Sequence, residues 1–121
     1  VGAYKDKGEI QVLNPTEIVS ENDFFDYEAK YLGKSQEITP ARISDKDKKA
    51  VQQVTKKIYK LLNMKGVTRS DFIIQNGVPY FIEINATPGL SKESIIPKQL
   101  DDAQISLTAF FTTLLIEALE D

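Results

Sequence analysis

The sequence predicts an α+β domain in which an antiparallel sheet packs against helices. Two apolar runs joined through Asn76-Gly77 predict a hairpin, and apolar residues recur at helical spacing over 45–64 and 106–119. The 121 residues suit one compact domain, since single cores usually span about 50–200 residues. Apolar residues make up 41% of the chain and charged residues 27%, values that exclude a mostly disordered protein.

The composition also excludes several classes of function. The 15 Lys and Arg residues against 18 Asp and Glu residues give a net charge of −3, whereas nucleic-acid binders normally carry a basic excess. The absence of Cys and His excludes disulfides, thiolate zinc sites and imidazole catalysis. No apolar stretch approaches the roughly 18 residues of a membrane helix. The remaining carboxylates, amines, guanidinium groups and hydroxyls favour hard cations and phosphates.

The first part of the chain is predicted to be extended. Apolar residues at 1–4 and 9–13 flank a glycine-containing polar turn at 5–8, which indicates a hairpin. Asn14-Pro15 ends this run, because proline disfavours regular structure immediately before it. Residues 17–43 follow neither helical nor strand periodicity throughout, so we expect a loop with short strand or turn pieces.

The first predicted helix covers residues 45–64. Ser44 and Asp47 resemble a capping box at its start. Apolar residues fall on one face at spacings of three and four, namely Val51, Val54, Ile58, Leu61 and Leu62. The lysines off that stripe are interpreted as a solvated face: Lys48, Lys49, Lys56 and Lys57.

Two strands, 67–75 and 78–85, are predicted next, and Pro79 places the second at an edge or a bulge. A loop at 86–91 and a short apolar piece at 94–97 follow. The final helix, 106–119, is expected to turn six residues inward: Leu107, Phe110, Phe111, Leu114, Leu115 and Ala118.

Polar residues inside the predicted hairpin form the candidate site. Arg69 and Asp71 alternate on one strand, and Glu83 and Asn85 alternate on its partner, so each pair projects from one face. Two carboxylates and an amide oxygen side by side are ligands suited to Mg²⁺. Carboxylates crowded together without a cation would repel each other, which favours a bound metal.

The metal hypothesis imposes a condition on the hairpin. A two-residue turn would bring Asp71 opposite Ile82 and leave Glu83 on the other face. Convergence requires either a bulge or a three-residue loop, and the loop Gln75-Asn76-Gly77 would place Arg69 opposite Glu83. The alternative is a set of exposed edge-strand charges with an Arg69–Glu83 surface ion pair, and spacing alone does not choose between these interpretations.

A glycine follows the cluster, in Thr87-Pro88-Gly89. Glycine at this position lets backbone N–H groups approach a ligand closely, as anion and oxyanion sites require. The alternative is a plain turn, for which Pro-Gly is common.

Four stretches in this order resemble the C-terminal part of the D-alanine–D-alanine ligases, which are ATP-grasp enzymes: 25–31 with Pro40-Ala41 downstream, 66–72, 83–89 and 94–97. The resemblance implies that residues 1–121 form the C-terminal lobe of an ATP-grasp fold. The N-terminal domain and the first part of the ATP-grasp domain have no counterpart here. Because Val1 is not a start methionine either, we expect a piece of a longer enzyme that is inactive alone.

The resemblance also implies an activity. These enzymes join two D-alanines through an acyl phosphate, with ATP and two Mg²⁺ or Mn²⁺ ions, for peptidoglycan synthesis. A cytoplasmic enzyme with a small-molecule substrate is expected, with neither nucleic acid nor membrane as a partner. The family tends to dimerise, mainly through parts outside this chain, which is compatible with a homodimeric parent.

The family's residue roles carry over by position. Asp71, Glu83 and Asn85 would hold the metals, with Glu83 bridging them. Arg69 and the backbone N–H of Gly89 would stabilise the tetrahedral oxyanion. The remaining positions are Lys30, for the transferred phosphate or the second substrate's carboxylate; Tyr31, which in the family bonds to a mobile loop; and Ser94 with the Ile95 backbone, for that carboxylate.

Two positions depart from the family pattern. Ser70 stands where an aliphatic residue is usual, and Ala86 where a Thr or Ser is usual. Neither is a ligand position, so the departures bear on substrate choice rather than on metal binding. Alternatives are another ATP-grasp carboxylate–amine ligase, such as a D-alanine–D-lactate type, or a non-catalytic binding module on the same scaffold. Tyr31 and Ser94 favour the D-alanine-adding type.

Overall fold

The computed structural model describes residues 1–20 and 35–120. A four-stranded antiparallel sheet has the order β2-β1-β5-β6, and a second sheet pairs β3 with β4. The strands are β1 (Gly2–Asp6), β2 (Glu9–Val12), β3 (Glu17–Ser20), β4 (Ser35–Ile38), β5 (Thr68–Gln75) and β6 (Val78–Asn85). The helices are α1 (Asp45–Leu61), α2 (Ile95–Asp102) and α3 (Leu107–Leu119). This architecture confirms the predicted α+β class.

The N-terminal hairpin turns through two residues, fewer than predicted. Asp6 pairs with Glu9, so only Lys7 and Gly8 form the turn. Their φ angles are 53° and 82°, the left-handed values of a primed turn, whose twist matches that of the flanking strands. Beyond residue 16, the described strands β3 and β4 agree with the expectation of short strand pieces.

Helix α1 begins as predicted, with the hydroxyl of Ser44 accepting a hydrogen bond from the Asp47 amide at 3.1 Å. It ends at Leu61 rather than at residue 64, because Asn63 takes a left-handed φ of 50°. The predicted inward face was partly wrong, since the side chain of Leu61 is 74% exposed. Leu62 is also exposed, whereas the lysines at 49, 56 and 57 lie in solvent as expected.

Polar side chains occupy part of the buried face of α1. Its buried residues are Val51, Thr55 and Tyr59. The Thr55 hydroxyl donates to the Val51 carbonyl at 2.7 Å, and the Tyr59 hydroxyl donates to the Gly66 carbonyl at 2.6 Å. Because each hydroxyl has a partner, burial costs little. Burial raises the pKa of the Tyr59 phenol, with a smaller contribution from the Glu117 carboxylate.

Helix α2 replaces the short apolar piece predicted at 94–97. Proline is tolerated in the first turn of a helix, where backbone N–H groups lack intrahelical partners, so Pro97 does not prevent α2 from forming. Its buried residues repeat at helical spacing across one face: Ile96, Pro97, Gln99 and Leu100. Because the polar Gln99 interrupts the apolar pattern of this face, the sequence did not indicate a helix here.

Helix α3 forms where it was predicted, capped by the Ser106 hydroxyl, which accepts from the Ala109 amide at 3.1 Å. Its predicted inward face was too wide. Phe110 alone is fully buried among the six, and Leu114 packs partly against the core. The other four are exposed: Leu107, Phe111, Leu115 and Ala118. Within the described residues no single helix is long and apolar enough to cross a membrane, and α2 with α3 reach that length only as a pair bent by 109°.

The core joins the sheet to the two C-terminal helices. It consists of Tyr4, Leu13, Ile96, Leu100 and Phe110. The rings of Tyr4 and Phe110 meet edge to face with centroids 5.0 Å apart, a favourable aromatic geometry. This core holds α2 and α3 on the strand that neighbours β5, and thereby positions the candidate site.

Candidate functional site

The hairpin β5–β6 meets the condition for a carboxylate cluster through a bulge. Gln75 pairs with Val78, so the turn contains only Asn76 and Gly77, and of the two alternatives the structure has the bulge rather than the three-residue loop. Both turn residues have left-handed φ angles, 53° and 76°, as a tight primed turn requires. The register then shifts between Phe72, which pairs with Phe81, and the next residue towards the strand's start.

The shift inserts Ile82 as an extra residue in β6. Asp71 therefore pairs directly with Glu83, which the two-residue turn alone would not allow. Directly opposed residues of an antiparallel pair have Cβ atoms about 4.5–5.5 Å apart. Strand β6 lies at the edge of the four-stranded sheet, as predicted from Pro79.

Arg69 makes a different contact from the one considered above. It lies opposite Asn85 rather than Glu83. Its Nε donates to Asp71 Oδ1 at 3.0 Å, and its NH2 donates to Oδ2 at 3.4 Å. The two side chains are 23% and 30% exposed, so the pair is partly shielded from solvent. The suggested Arg69–Glu83 ion pair is thus replaced by an Arg69–Asp71 pair on one strand.

The oxygen donors fit a hard divalent cation in kind. Asp71 and Glu83 supply carboxylates at one point of the sheet, and Asn85 supplies an amide oxygen two residues further on. Within the described residues no group of three or more Asp or Glu side chains is placed to hold a metal ion, so a site here would need the Asn85 amide as its third donor. The Asn85 Oδ1 atom accepts from the Thr87 amide at 2.9 Å and retains a second lone pair.

The loop after β6 brings Gly89 against Ser94. A Cβ added at Gly89 would lie 2.9 Å from the Ser94 hydroxyl, a distance that real Cβ atoms avoid. The Ser94 hydroxyl lies 2.8 Å from that of Ser91 and does not cap α2. The structure therefore brings together Gly89, Ser94 and the start of α2 at Ile95, three of the predicted site positions.

Among the described residues, the structure brings no further predicted position into this cluster. Lys30 and Tyr31 lie outside the described residues. Ala86 is exposed in the loop, and the Ser70 hydroxyl is fully buried without a hydrogen-bond partner in the described part of the chain. Ser70 alternates with Arg69 and Asp71, so it belongs to the opposite face of the sheet.

An open cleft of about 1070 Å³ borders the site. Its lining includes Arg69, Asp71, Glu83, Ile95 and Gln99, which come from both sheet strands and from α2. A smaller cavity of about 580 Å³, between the β1–β2 turn and α3, contains none of the predicted site residues.

Glu17 also lines the cleft and is held ionised by a neighbour. Hydrogen bonds from Arg42, including Nε to Oε1 at 3.1 Å, keep the pKa of the Glu17 carboxyl below its usual range. Sequence reasoning missed both Glu17 and Gln99 as cleft residues, because neither belongs to a motif. The available signal for Gln99 was its position between Ile96 and Leu100, at the spacing of one buried helix face.

Comparisons with known proteins show the family to which this chain belongs. The family model described as D-ala D-ala ligase C-terminus matches residues 2–116. A D-alanine–D-alanine ligase of Flavobacterium johnsoniae is 59% identical over 112 residues, covering 93% of this chain and 35% of that protein. The chain spans about a third of the length of the curated relatives it matches.

Two solved structures share the fold over nearly the whole chain. A D-alanine–D-alanine ligase from Bacillus anthracis has a TM-score of 0.76 and 27% identity, covering 98% of this chain and 39% of that one. A D-Ala:D-Ser ligase from Enterococcus faecalis has a TM-score of 0.80 and 30% identity, covering 94% and 34%. The scaffold is therefore shared by proteins that are named for different substrates.

Proposed function

Because this chain belongs to the D-alanine–D-alanine ligase family through the C-terminal part of that family, we propose that it is the C-terminal part of the ATP-grasp domain in a D-alanine–D-alanine ligase. The full enzyme joins two D-alanines at the expense of ATP, which becomes ADP and phosphate. It serves peptidoglycan precursor synthesis, and hence cell shape, in the cytoplasm. The partners are small molecules, and the parent enzyme is a homodimer through parts outside this chain.

The observation that carries the proposal is the bulge at Ile82. It places Asp71 opposite Glu83 in a hairpin that otherwise follows a regular two-residue register. A bulge that re-aims a side chain beside a functional site is a common device, and a scaffold without chemistry has no need to bring two carboxylates together.

We assign metal binding to Asp71, Glu83 and Asn85, which would together hold two Mg²⁺ or Mn²⁺ ions. All-oxygen donors support this assignment. Bound there, the cations would neutralise the charge of the phosphates during phosphoryl transfer. Arg69 already neutralises Asp71 in part, so a cationic side chain lies at the site independently of any metal.

The reaction proceeds in two displacements. A carboxylate oxygen of the first D-alanine attacks the γ-phosphorus of ATP, forming an acyl phosphate and releasing ADP. The amine of the second D-alanine then attacks the acyl carbon, and the tetrahedral adduct expels phosphate as the peptide bond forms. Arg69 and the Gly89 amide stabilise the oxyanion of that adduct. Arg69 has five N–H donors, of which Asp71 engages two, so it is able to serve both groups.

The second D-alanine binds at the start of α2. Ser94 and the Ile95 amide contact its carboxylate, which is favoured by the positive end of the helix dipole. The contact between Gly89 and Ser94 supports this assignment, since it brings the carboxylate and oxyanion sites next to each other. Lys30 contacts the transferred phosphate or this carboxylate, and Tyr31 bonds to a loop that closes over the site.

The test is ADP release by the full-length protein that carries this segment. With ATP, Mg²⁺ and D-alanine, we expect ADP and D-alanyl-D-alanine to form in equal amounts. We expect EDTA to abolish turnover and added Mn²⁺ to restore it. Product formation only with another acceptor, as a dipeptide with D-serine or an ester with D-lactate, would change the assigned acceptor substrate, and the likeness to a D-Ala:D-Ser ligase is the reason to include D-serine. No turnover by the folded protein would favour a binding module instead.

Gly89→Ala is expected to raise KM for the second D-alanine and to lower kcat/KM by about 10-fold or more, since small misplacements of a reacting group are costly. The added Cβ would lie 2.9 Å from the Ser94 hydroxyl and must displace it. Steady-state kinetics with varied D-alanine measures the effect. Ser91→Ala is the control, because it removes only the hydroxyl partner of Ser94. A Gly89→Ala enzyme with unchanged kinetics would contradict this assignment.

A further inference from the structure

The side chain of Gln99 connects α2 to the sheet. It is fully buried, and its Oε1 accepts from the Gly2 amide at 2.9 Å. Gly2 lies opposite Arg69 in the β1–β5 pairing. One hydrogen bond therefore links the helix that begins after Ser94 to the strand segment beside Arg69.

The Gly2 amide needs this partner because the neighbouring strand ends there. The Gly2 carbonyl accepts from the Leu13 amide at 2.9 Å, but the Leu13 carbonyl accepts from Gln52 instead of returning the bond. Gln99 thus occupies the place of a strand neighbour for Gly2. An unpaired buried N–H would otherwise be left at the edge of the site.

The second amide atom of Gln99 makes a separate connection. Nε2 donates to the Thr16 hydroxyl at 3.0 Å, and that hydroxyl lies 2.6 Å from the Thr39 hydroxyl. Thr16 directly precedes β3 and Thr39 directly follows β4. The same side chain therefore reaches the end of the β3–β4 pair at which Thr16 and Thr39 meet.

The approach of α2 to Gly2 is also close. A Cβ on Gly2 would lie 2.6 Å from Ile96 Cδ1 and 2.9 Å from Gln99 Oε1. Helix and strand are therefore in contact, and the amide of Gln99 determines their relative position at that contact. A buried apolar residue would fill the space but would supply neither bond.

We propose that Gln99 is a positioning residue, which fixes the start of α2 relative to Arg69 and to the end of the β3–β4 pair at Thr16 and Thr39. This inference rests on the proposed function, in which Ser94 and Ile95 hold the second D-alanine and Arg69 serves the oxyanion. Gln99 itself touches no substrate. Its role is to keep the carboxylate-binding and oxyanion-binding groups at one separation.

The test uses Gln99→Met in the full-length enzyme, since methionine keeps the volume and loses both hydrogen bonds. We expect KM for the second D-alanine to rise about 10-fold or more, because binding groups held out of place lose much of their effect. KM for ATP should change less than twofold. Gln53→Met, the same change at an exposed position of α1, should leave both constants unchanged.

Two further variants separate positioning from stability. Thr16→Val removes the acceptor of Nε2 and should raise the same KM, whereas Thr16→Ser keeps the hydroxyl and should not. Phe110→Leu lowers the stability of the core without touching these hydrogen bonds. If Phe110→Leu produces the same rise in KM at a matched loss of Tm, the positioning role is overturned.

Hydrogen exchange tests the inference independently of turnover. Gln99→Met should accelerate amide exchange at Gly2 and over residues 89–97, and Gln53→Met should not. If the wild-type enzyme shows no D-alanine-dependent ADP release, the proposed function fails, while exchange still decides whether Gln99 fixes α2. Unchanged exchange together with unchanged kinetics would overturn the inference alone.

Discussion

Glu83→Gln is expected to lower D-alanine-dependent ADP formation by the full-length enzyme at least about 100-fold. Losing a hydrogen-bond partner of a metal ligand typically costs about 10–100-fold, and loss of the ligand's own charge should cost at least as much. Glu83 lies directly opposite Asp71, so the substitution halves the carboxylate charge at that point of the sheet. The measurement is initial rate at saturating ATP, repeated over a range of Mg²⁺ and Mn²⁺ concentrations.

The cation dependence of the Glu83→Gln rate distinguishes a metal-binding role of Glu83 from other causes of lost activity. The variant should require more cation for half-maximal rate, because one carboxylate donor has become a neutral amide. Glu9→Gln, the same change on an exposed strand residue outside the cleft, should behave as wild type. Wild-type rates and metal dependence in Glu83→Gln would remove the metal assignment and leave the bulge without its proposed purpose.

Phe110→Ala is expected to destabilise the protein by about 3–5 kcal/mol, the usual cost of emptying a buried phenylalanine site. The Phe110 side chain is fully buried and stacks edge to face with Tyr4 at 5.0 Å. In the full-length enzyme its loss should lower Tm by about 6 °C or more, because Tm shifts by about 2–4 °C per kcal/mol in proteins larger than this segment. Thermal unfolding followed by circular dichroism measures the change.

The neighbouring phenylalanine provides a matched control. The side chain of Phe111 is 40% exposed, although its ring lies 5.7 Å from that of Phe110. Phe111→Ala should therefore cost only about 1 kcal/mol, since much of its apolar area already contacts solvent. Equal losses of Tm in the two variants would show that the core does not lie where the structure places it.

Much of the fold follows from local sequence signals. Ser44 and Ser106 cap helices that begin where the sequence predicts, and Asn76-Gly77 turns the hairpin. Each signal acts within a few residues, because capping and primed turns depend on the backbone next to them. The inward faces were harder to predict, as exposed Leu61 and Leu115 show, since burial depends on what lies across the helix.

The candidate site, like the fold, was predictable in part from the sequence. Alternation along β5 and β6 determines that Arg69 and Asp71 share a face, and the family motifs name the same residues. The alternation of side chains along one strand does not determine which residues of two neighbouring strands lie opposite each other. A single extra residue moves every side chain beyond it to the other face, so the sequence left both a three-residue loop and a bulge open.

By itself, then, the sequence determined most of the element types and their ends, the family, and the identity of the candidate site residues, but it did not reveal helix α2. The tertiary structure decided that Ile82 is the bulged residue, that Arg69 pairs with Asp71, and that Gln99 connects α2 to Gly2. The difference is physical. Caps, turns and periodicity are set by neighbours in the chain, whereas register, ion pairing and buried hydrogen bonds are set by residues that meet only after the chain has folded.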